Sequence, residues 1–375
     1  MTSASPRISP LLSSFSASSL NLRNRFAMAP MTRGKSPDGI PNAENVEYYR
    51  QRAAGGVGLI ITEGTYIDDP AAGKNVNVPR FHGEDSAAGW KAVVEAVHAE
   101  GAAIIPQLWH VGSERGLDAT LNPGVAPHSP SGLALSGDPL GEELSVAQID
   151  AVIAAFAEAA SLARGIGFDG IELHGAHGYL LDEFLWERTN RRADGYGGSR
   201  SARASVPAEV VRAVRDAVGP DFAIVFRYSQ WKAGNYRAQL ADDPAELGEV
   251  LLPLADAGVD VFHVSTRRHW LPAFPDLEEG GAAGPHATRG LAGWTKQVTG
   301  KPVITVGAVG VDTVFASDGS TVDVPIEQRL DILVEQFESG EFDVVAMGRA
   351  LLADPAWVEK MSAGTPELVT AFSTR

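Results

Sequence analysis

Eight short apolar runs punctuate this chain, at 26–30, 58–63, 102–108, 170–174, 223–228, 259–264, 302–306 and 342–347. Each is bounded by glycine or polar residues and is too short for an ordinary helix, so each reads as a buried strand. Between most of them, apolar positions recur at helical spacing and predict helices near 43–54, 85–100, 145–164, 203–218, 243–257, 288–299, 326–338 and 355–362. Strand then helix, repeated eight times with near-continuous Val, Ile, Leu and Ala in the strands, implies a parallel sheet sheltered by helices. Such units suit closure into a (β/α)8 TIM barrel, and 375 residues lie within the range of that fold. An open doubly wound sheet is the alternative. No change of composition divides the chain, so residues 1–375 are read as a single domain with an N-terminal lead-in. Long loops at 111–144 and 266–287 are expected over the C-terminal face of the barrel, and 315–322 reads as a hairpin turning at Asp318-Gly319.

Composition then narrows function by exclusion. The chain is 44% hydrophobic and 21% charged, as in an ordinary globular enzyme. Its formal charge of −16, with no basic block, argues against a nucleic-acid partner. The absence of cysteine removes disulfides, thiolate-held iron–sulfur clusters and a cysteine nucleophile, and suits a cytoplasmic protein. No uninterrupted apolar run of about 18 residues stands out, so no membrane span is expected. Residues 1–37 lack Asp and Glu and are rich in Ser, but an apolar strand starts within them; the segment reads as a lead-in and not as a targeting signal.

Two motifs carry chemistry in their letters. Gly165-Ile-Gly-Phe-Asp-Gly170 fits the dinucleotide fingerprint, yet it closes a predicted helix and precedes a strand, the reverse of what phosphate binding needs. It reads as a helix cap and turn. The second is His174-Gly-Ala-His177-Gly-Tyr179, where a strand runs into two imidazoles and a phenol. Such a trio can hold a carbonyl or nitro oxygen and deliver a proton to a neighbouring carbon. It can also be part of a metal-dependent hydrolase site, with His110 or His263 as a further ligand, or a pair of satisfied core histidines. Its neighbourhood decides. Barrel enzymes place their chemistry at the C-terminal strand ends, and polar groups recur there, from Pro30-Met31-Thr32-Arg33 through Thr62-Glu63-Gly64, Gln107-Leu-Trp109-His110 and Arg227 to Gly307 and Gly348-Arg349.

In five ordered segments the chain resembles the Old Yellow Enzyme family of FMN-dependent ene-reductases: Asn24 to Arg33, Gln107 to His110, His174 to Leu180, Arg191 to Ser199 and Ala346 to Arg349. The resemblance runs from about Leu22 to Trp357 and implies a barrel with FMN across its mouth and NADPH or NADH as reductant. It implies that Pro30, Met31 and Thr32 lie beside the flavin edge and that Gly64 permits close backbone approach. Gln107 and Arg227 would stabilise charge on the reduced ring. Gly307, Gly348 and Arg349 would hold the phosphate. His174 and His177 would bind the substrate oxygen, with Trp109 shaping that side, and Tyr179 would be the proton donor. The implied partner is a small activated alkene, with no metal. A homo-oligomer is neither required nor excluded. The structural alternative for Arg227 and Arg349 is an ion pair with a barrel acid, and a flavin- or ligand-binding barrel without activity is a third reading of the whole chain. Departures are Thr32 where one branch has Cys, Ala308 after Gly307 where some relatives have a polar side chain, Ser113 where Arg is frequent, and the sequence of 363–375. They bear on substrate range.

Overall fold

A computed structural model describes residues 7–274, 289–311 and 324–372. A small antiparallel hairpin, β1 (Phe15–Ala17) and β2 (Leu20–Leu22), precedes the barrel. The barrel strands are β3 (Phe26–Met28), β4 (Leu59–Tyr66), β5 (Ala103–Trp109), β6 (Gly170–His177), β7 (Ala223–Lys232), β8 (Val261–Ser265), β9 (Val303–Val306) and β10 (Val344–Met347). They close in chain order, with β10 pairing both β9 and β3 and every neighbour parallel. The expected closed (β/α)8 barrel is therefore the fold, and the open sheet is excluded.

Alternation along the strands places the chemistry. Leu59 and Ile61, Ala103 and Ile105, Ala223 and Val225 pack together inside the barrel, plugged from below by Phe15, Leu20 and Leu22 of the hairpin. Phe26, Ile60, Ile104, Ile224 and Phe226 face the helices. Since side chains alternate with period two, the inward series continues to Gln107 and Trp109 on β5, to Arg227 on β7 and to Ser265 on β8. The apolar filling thus ends in a layer of polar groups at the C-terminal mouth.

The outer helices are α1 (Ala43–Ala54), α2 (Glu84–Ala99) and α3 (Val146–Ile166), then the short buried α4 (Leu180–Leu185) and α5 (Arg200–Arg203), then α6 (Ser205–Val218), α7 (Pro244–Ala257), α8 (Leu291–Thr299) and α9 (Ile326–Glu338), and finally α10 (Arg349–Ala353) and α11 (Trp357–Ser362). The predicted 355–362 helix is α11 alone, with α10 ahead of it. The break falls where Asp354 is extended before Pro355, whose ring disfavours helical backbone in its predecessor. Gly167, in the left-handed conformation at φ 105°, caps α3 and is followed by β6, so the glycine-rich hexad is the expected cap and turn.

One helix among the described residues, α3, at 21 residues, is long and apolar enough to cross a membrane by length and composition alone. Isolated polar residues interrupt its apolar run but leave it apolar on average. In the fold it is a barrel helix, begun by a Ser145/Gln148 capping box, that buries Val152, Phe156 and Ala160 in the core. The predicted hairpin at 315–322 lies outside the described residues, as does the part of the 266–287 loop from 275 onward.

Candidate active site at the barrel mouth

A cavity of about 560 Å³ opens at the C-terminal ends of the strands, within the usual range for small-molecule sites. The structure brings into its lining Pro30, Met31, Thr32, Gln107, Trp109, His174, His177, Tyr179, Arg227, Gly307, Gly348 and Arg349. Gly64 stands apart from this set. A Cβ there would lie 2.4 Å from Trp109 Cε3, so the indole itself requires glycine at this position. At Gly307 a Cβ would lie 2.3 Å from Thr266 Oγ1, which leaves room only for glycine beside the cavity.

On the substrate side, aromatic rings fix one another. The Trp109 indole stacks on His174 with centroids 5.9 Å apart, and the Tyr179 ring meets both edge-on at 4.8 Å. His177 stands nearly perpendicular to His174 at 5.2 Å and stacks on Trp231 at 4.3 Å. His174 Nδ1 accepts from the Ala176 N–H at 3.4 Å, which leaves the proton on Nε2. Burial and then the Arg227 charge hold both imidazoles well below their usual pKa, so both are neutral donors at pH 7. Burial pushes Tyr179 up to about 12, so it is a protonated phenol throughout the neutral range.

The turn that presents these groups is strained and braced. His177 has φ 65°, a left-handed conformation that non-glycine residues seldom adopt. Its N–H donates to Ser229 Oγ at 2.9 Å and its carbonyl accepts from Ala233 N–H at 2.9 Å. The next N–H, of Gly178, donates to Asp182 Oδ2 at 2.6 Å, and Asp182 is itself paired with Lys232 at 2.9 Å, both side chains fully buried. Lys232 also donates to the Ser229 and Gln230 carbonyls. Behind this turn, Glu183 accepts from Ser113 N–H at 2.8 Å and from the Ser113 hydroxyl, and burial raises its carboxyl well above the ordinary value. Sequence reading missed Asp182, Lys232, Glu183 and the stacking of Trp231.

Opposite lies the cationic wall. Arg227 is buried, its Nε has no hydrogen-bond partner, and no ion pair to it exists among the described residues. The ion-pair alternative for Arg227 therefore finds no acid. The nearest barrel carboxylate, Glu172, is taken up below by Gln107 Nε2 at 2.7 Å and His263 Nδ1 at 2.6 Å. Gln107 thus spends one of its two amide N–H groups on the floor. Ala308 is left-handed at φ 53°, and the N–H groups of Ala308 and Gly348 have no backbone acceptor among the described residues. A buried guanidinium whose Nε has no hydrogen-bond partner at one end, and free N–H groups beside two close-set glycines at the other, suit a planar anionic ring carrying a phosphate, so the residues fit FMN. Arg349 lies over the Phe372 ring at 5.5 Å.

The metal alternative gathers differently. Among the described residues, the group with three ligand atoms in reach is Asp69, His110 and His128, which excludes His174 and His177. His110 Nδ1 accepts from Gly112 N–H at 3.0 Å, so its proton sits on Nε2 and faces Asp69 Oδ1 at 3.4 Å. That arrangement is an imidazole directed at a carboxylate, whereas a ligating His donates its other N–H outward. His263 points below the mouth to Glu172.

Comparison with known proteins gives the family. A profile of the NADH:flavin oxidoreductase / NADH oxidase family matches residues 11–367. An NADH oxidase of Thermoanaerobacter brockii is 38% identical over 92% of the chain, and 12-oxophytodienoate reductase 7 of rice, Oryza sativa subsp. japonica, is 32% identical over 94%. The chain spans 49% of the former's length and 87% of the latter's. A structure of morphinone reductase in complex with tetrahydroNAD superposes with a TM-score of 0.74 at 30% identity, over 95% of this chain and 91% of the other. Fold and mouth together place the protein in the class of flavin-binding (β/α)8 barrels. Within that class, the chain belongs to the NADH:flavin oxidoreductase / NADH oxidase family, the family of Old Yellow Enzyme.

Proposed function

We propose that the protein is an FMN-dependent ene-reductase that reduces the C=C bond of α,β-unsaturated carbonyl or nitro compounds. The observation that supports this most is the juxtaposition, across one cavity, of two neutral buried imidazoles and a protonated phenol with a buried guanidinium that has no carboxylate partner. With FMN held there, hydride chemistry at the β-carbon would be available, with NADH or NADPH as the reductant.

The chain's own residues do the rest. Arg227 would balance negative charge on the cofactor, while Pro30, Met31 and Thr32 line its edge. The backbone about Gly307 and Gly348, with Arg349, would hold the phosphate. His174 and His177 bind the substrate oxygen and withdraw electrons from the alkene, and their neutrality keeps them hydrogen-bond donors that do not surrender a proton. Tyr179 delivers the proton to the α-carbon, and Trp109 orders the rings that aim it. Anaerobic incubation of FMN-loaded protein with NADPH and a cyclic enone tests the reading. It should yield the saturated ketone in step with NADPH consumed; unchanged enone beside a fully reduced cofactor would overturn it.

A further inference from the structure

Resting on that reading, we propose that Ser265 is the positioning residue that fixes the tautomer of His177, so that the imidazole presents Nδ1–H, and not Nε2–H, to the substrate oxygen. The chemistry is local. Ser265 ends β8 on the inner face of the barrel, 3% exposed, with its Oγ 2.8 Å from His177 Nε2. A hydroxyl has one proton, and either atom of this pair can be the donor. The choice is settled from the other side. Arg227 Nη2 directs an N–H at the same Oγ from 3.4 Å, and a guanidinium has no lone pair to accept with. With Arg227 donating to Oγ, the hydroxyl's own proton has no hydrogen-bond partner among the described residues other than His177 Nε2, and the cation on the far side turns it that way. His177 Nε2 then accepts, and the ring proton resides on Nδ1, which has no hydrogen-bond partner among the described residues.

Ser265 acts on the same ring a second time. Its carbonyl accepts from Trp231 Nε1 at 3.1 Å, and that indole is the one stacked on His177. One residue on β8 therefore sets both the plane and the protonation of an imidazole carried by β6. His174, with Nδ1 engaged by Ala176 N–H, presents Nε2–H. The two imidazoles would clamp one oxygen through unlike nitrogens, which lets two rings at right angles converge.

The test reads the tautomer directly. In the FMN-loaded protein with 15N-labelled histidine, long-range 1H–15N spectra, with His177 assigned by its loss in His177→Gln, should show the Nδ1–H form. Ser265→Ala should shift His177 toward the Nε2–H form and slow alkene reduction roughly tenfold, about one weakened neutral hydrogen bond. Ser265→Thr, which keeps the hydroxyl, should restore the Nδ1–H form. An Nε2–H His177 in the wild type, or a Nδ1–H form that persists in Ser265→Ala, would overturn the proposal. The spectrum needs no turnover, so an enone that is not reduced by the wild type strikes the ene-reductase reading and not the tautomer.

Discussion

Replacing Tyr179 by Phe should separate the two halves of the reaction. The ring stays, packed edge-on against Trp109 and His174 at 4.8 Å, and only the hydroxyl is lost. That hydroxyl has no hydrogen-bond partner among the described residues, so no buried group is left unsatisfied and folding stability should change by less than about 1 kcal/mol. What disappears is a proton donor. Losing general acid catalysis should slow alkene reduction by roughly 10²–10⁴, or about 3–5 kcal/mol in barrier height. Stopped-flow absorbance under anaerobic conditions follows each half: bleaching of bound flavin by NADPH should match wild type, and its reoxidation by enone should be slow. The pH dependence carries the same claim. The phenol keeps its proton as pH rises until about 12, and the imidazoles stay neutral until pH falls well below 6.5. Reoxidation by enone should therefore be flat from about pH 7 to pH 10, between these limits. A Tyr179→Phe variant reoxidised within about threefold of the wild-type rate would refute the assignment of Tyr179 as donor.

Other expectations test the walls of the site. Arg227→Met should weaken FMN binding by roughly 10–150-fold, the worth of one charge-assisted hydrogen bond. It should leave apoprotein melting unchanged or raised, since an unpaired buried cation is removed; equal FMN affinity by fluorescence titration would contradict this. Lys232→Met strands the buried Asp182 carboxylate and should cost about 3–5 kcal/mol in urea unfolding, with Lys232→Met/Asp182→Asn recovering most of it. An undiminished midpoint would show that the pair does not brace the turn. Burial raises the folded Glu183 carboxyl well above its unfolded value, so the folded state holds a proton that the unfolded chain releases. The stability this gives is full below about pH 4.5 and is lost as pH rises through the folded value. Glu183→Gln removes that loss. Its melting-point gain over wild type should grow from pH 5 to pH 8, and a gain that shrinks over that range would mean the carboxyl is ionised in the fold.

Much of this was legible in the chain because strands announce themselves locally. Runs such as Ile171-Glu-Leu and Val303-Ile-Thr-Val fix where the inward and outward faces fall, and a residue at a strand end then faces the mouth. Trp109, His174 and Arg227 were found this way. What escaped were partnerships between distant residues. Ser265 meets His177 across 88 positions, and Lys232 meets Asp182 across 50. Both contacts depend on β6 and β7 continuing past the barrel rim, to His177 and Lys232, with an irregular register that no period-two pattern encodes. Gly64 shows the opposite case. The apolar run 58–63 put it at a strand end, whereas β4 continues to Tyr66, and the indole that excludes a side chain there belongs to the next strand over.

The central claim is that the cavity between Arg227 and the His174/His177/Tyr179 face holds FMN as a hydride donor to an activated alkene. An anaerobic spectral titration of the purified protein tests it in one experiment. The account predicts flavin absorbance at one FMN per chain, bleached by stoichiometric NADPH or NADH and restored by one equivalent of enone. Protein that shows no flavin bands even after incubation with FMN, or whose bleached flavin ignores enone and recovers only in air, would contradict it.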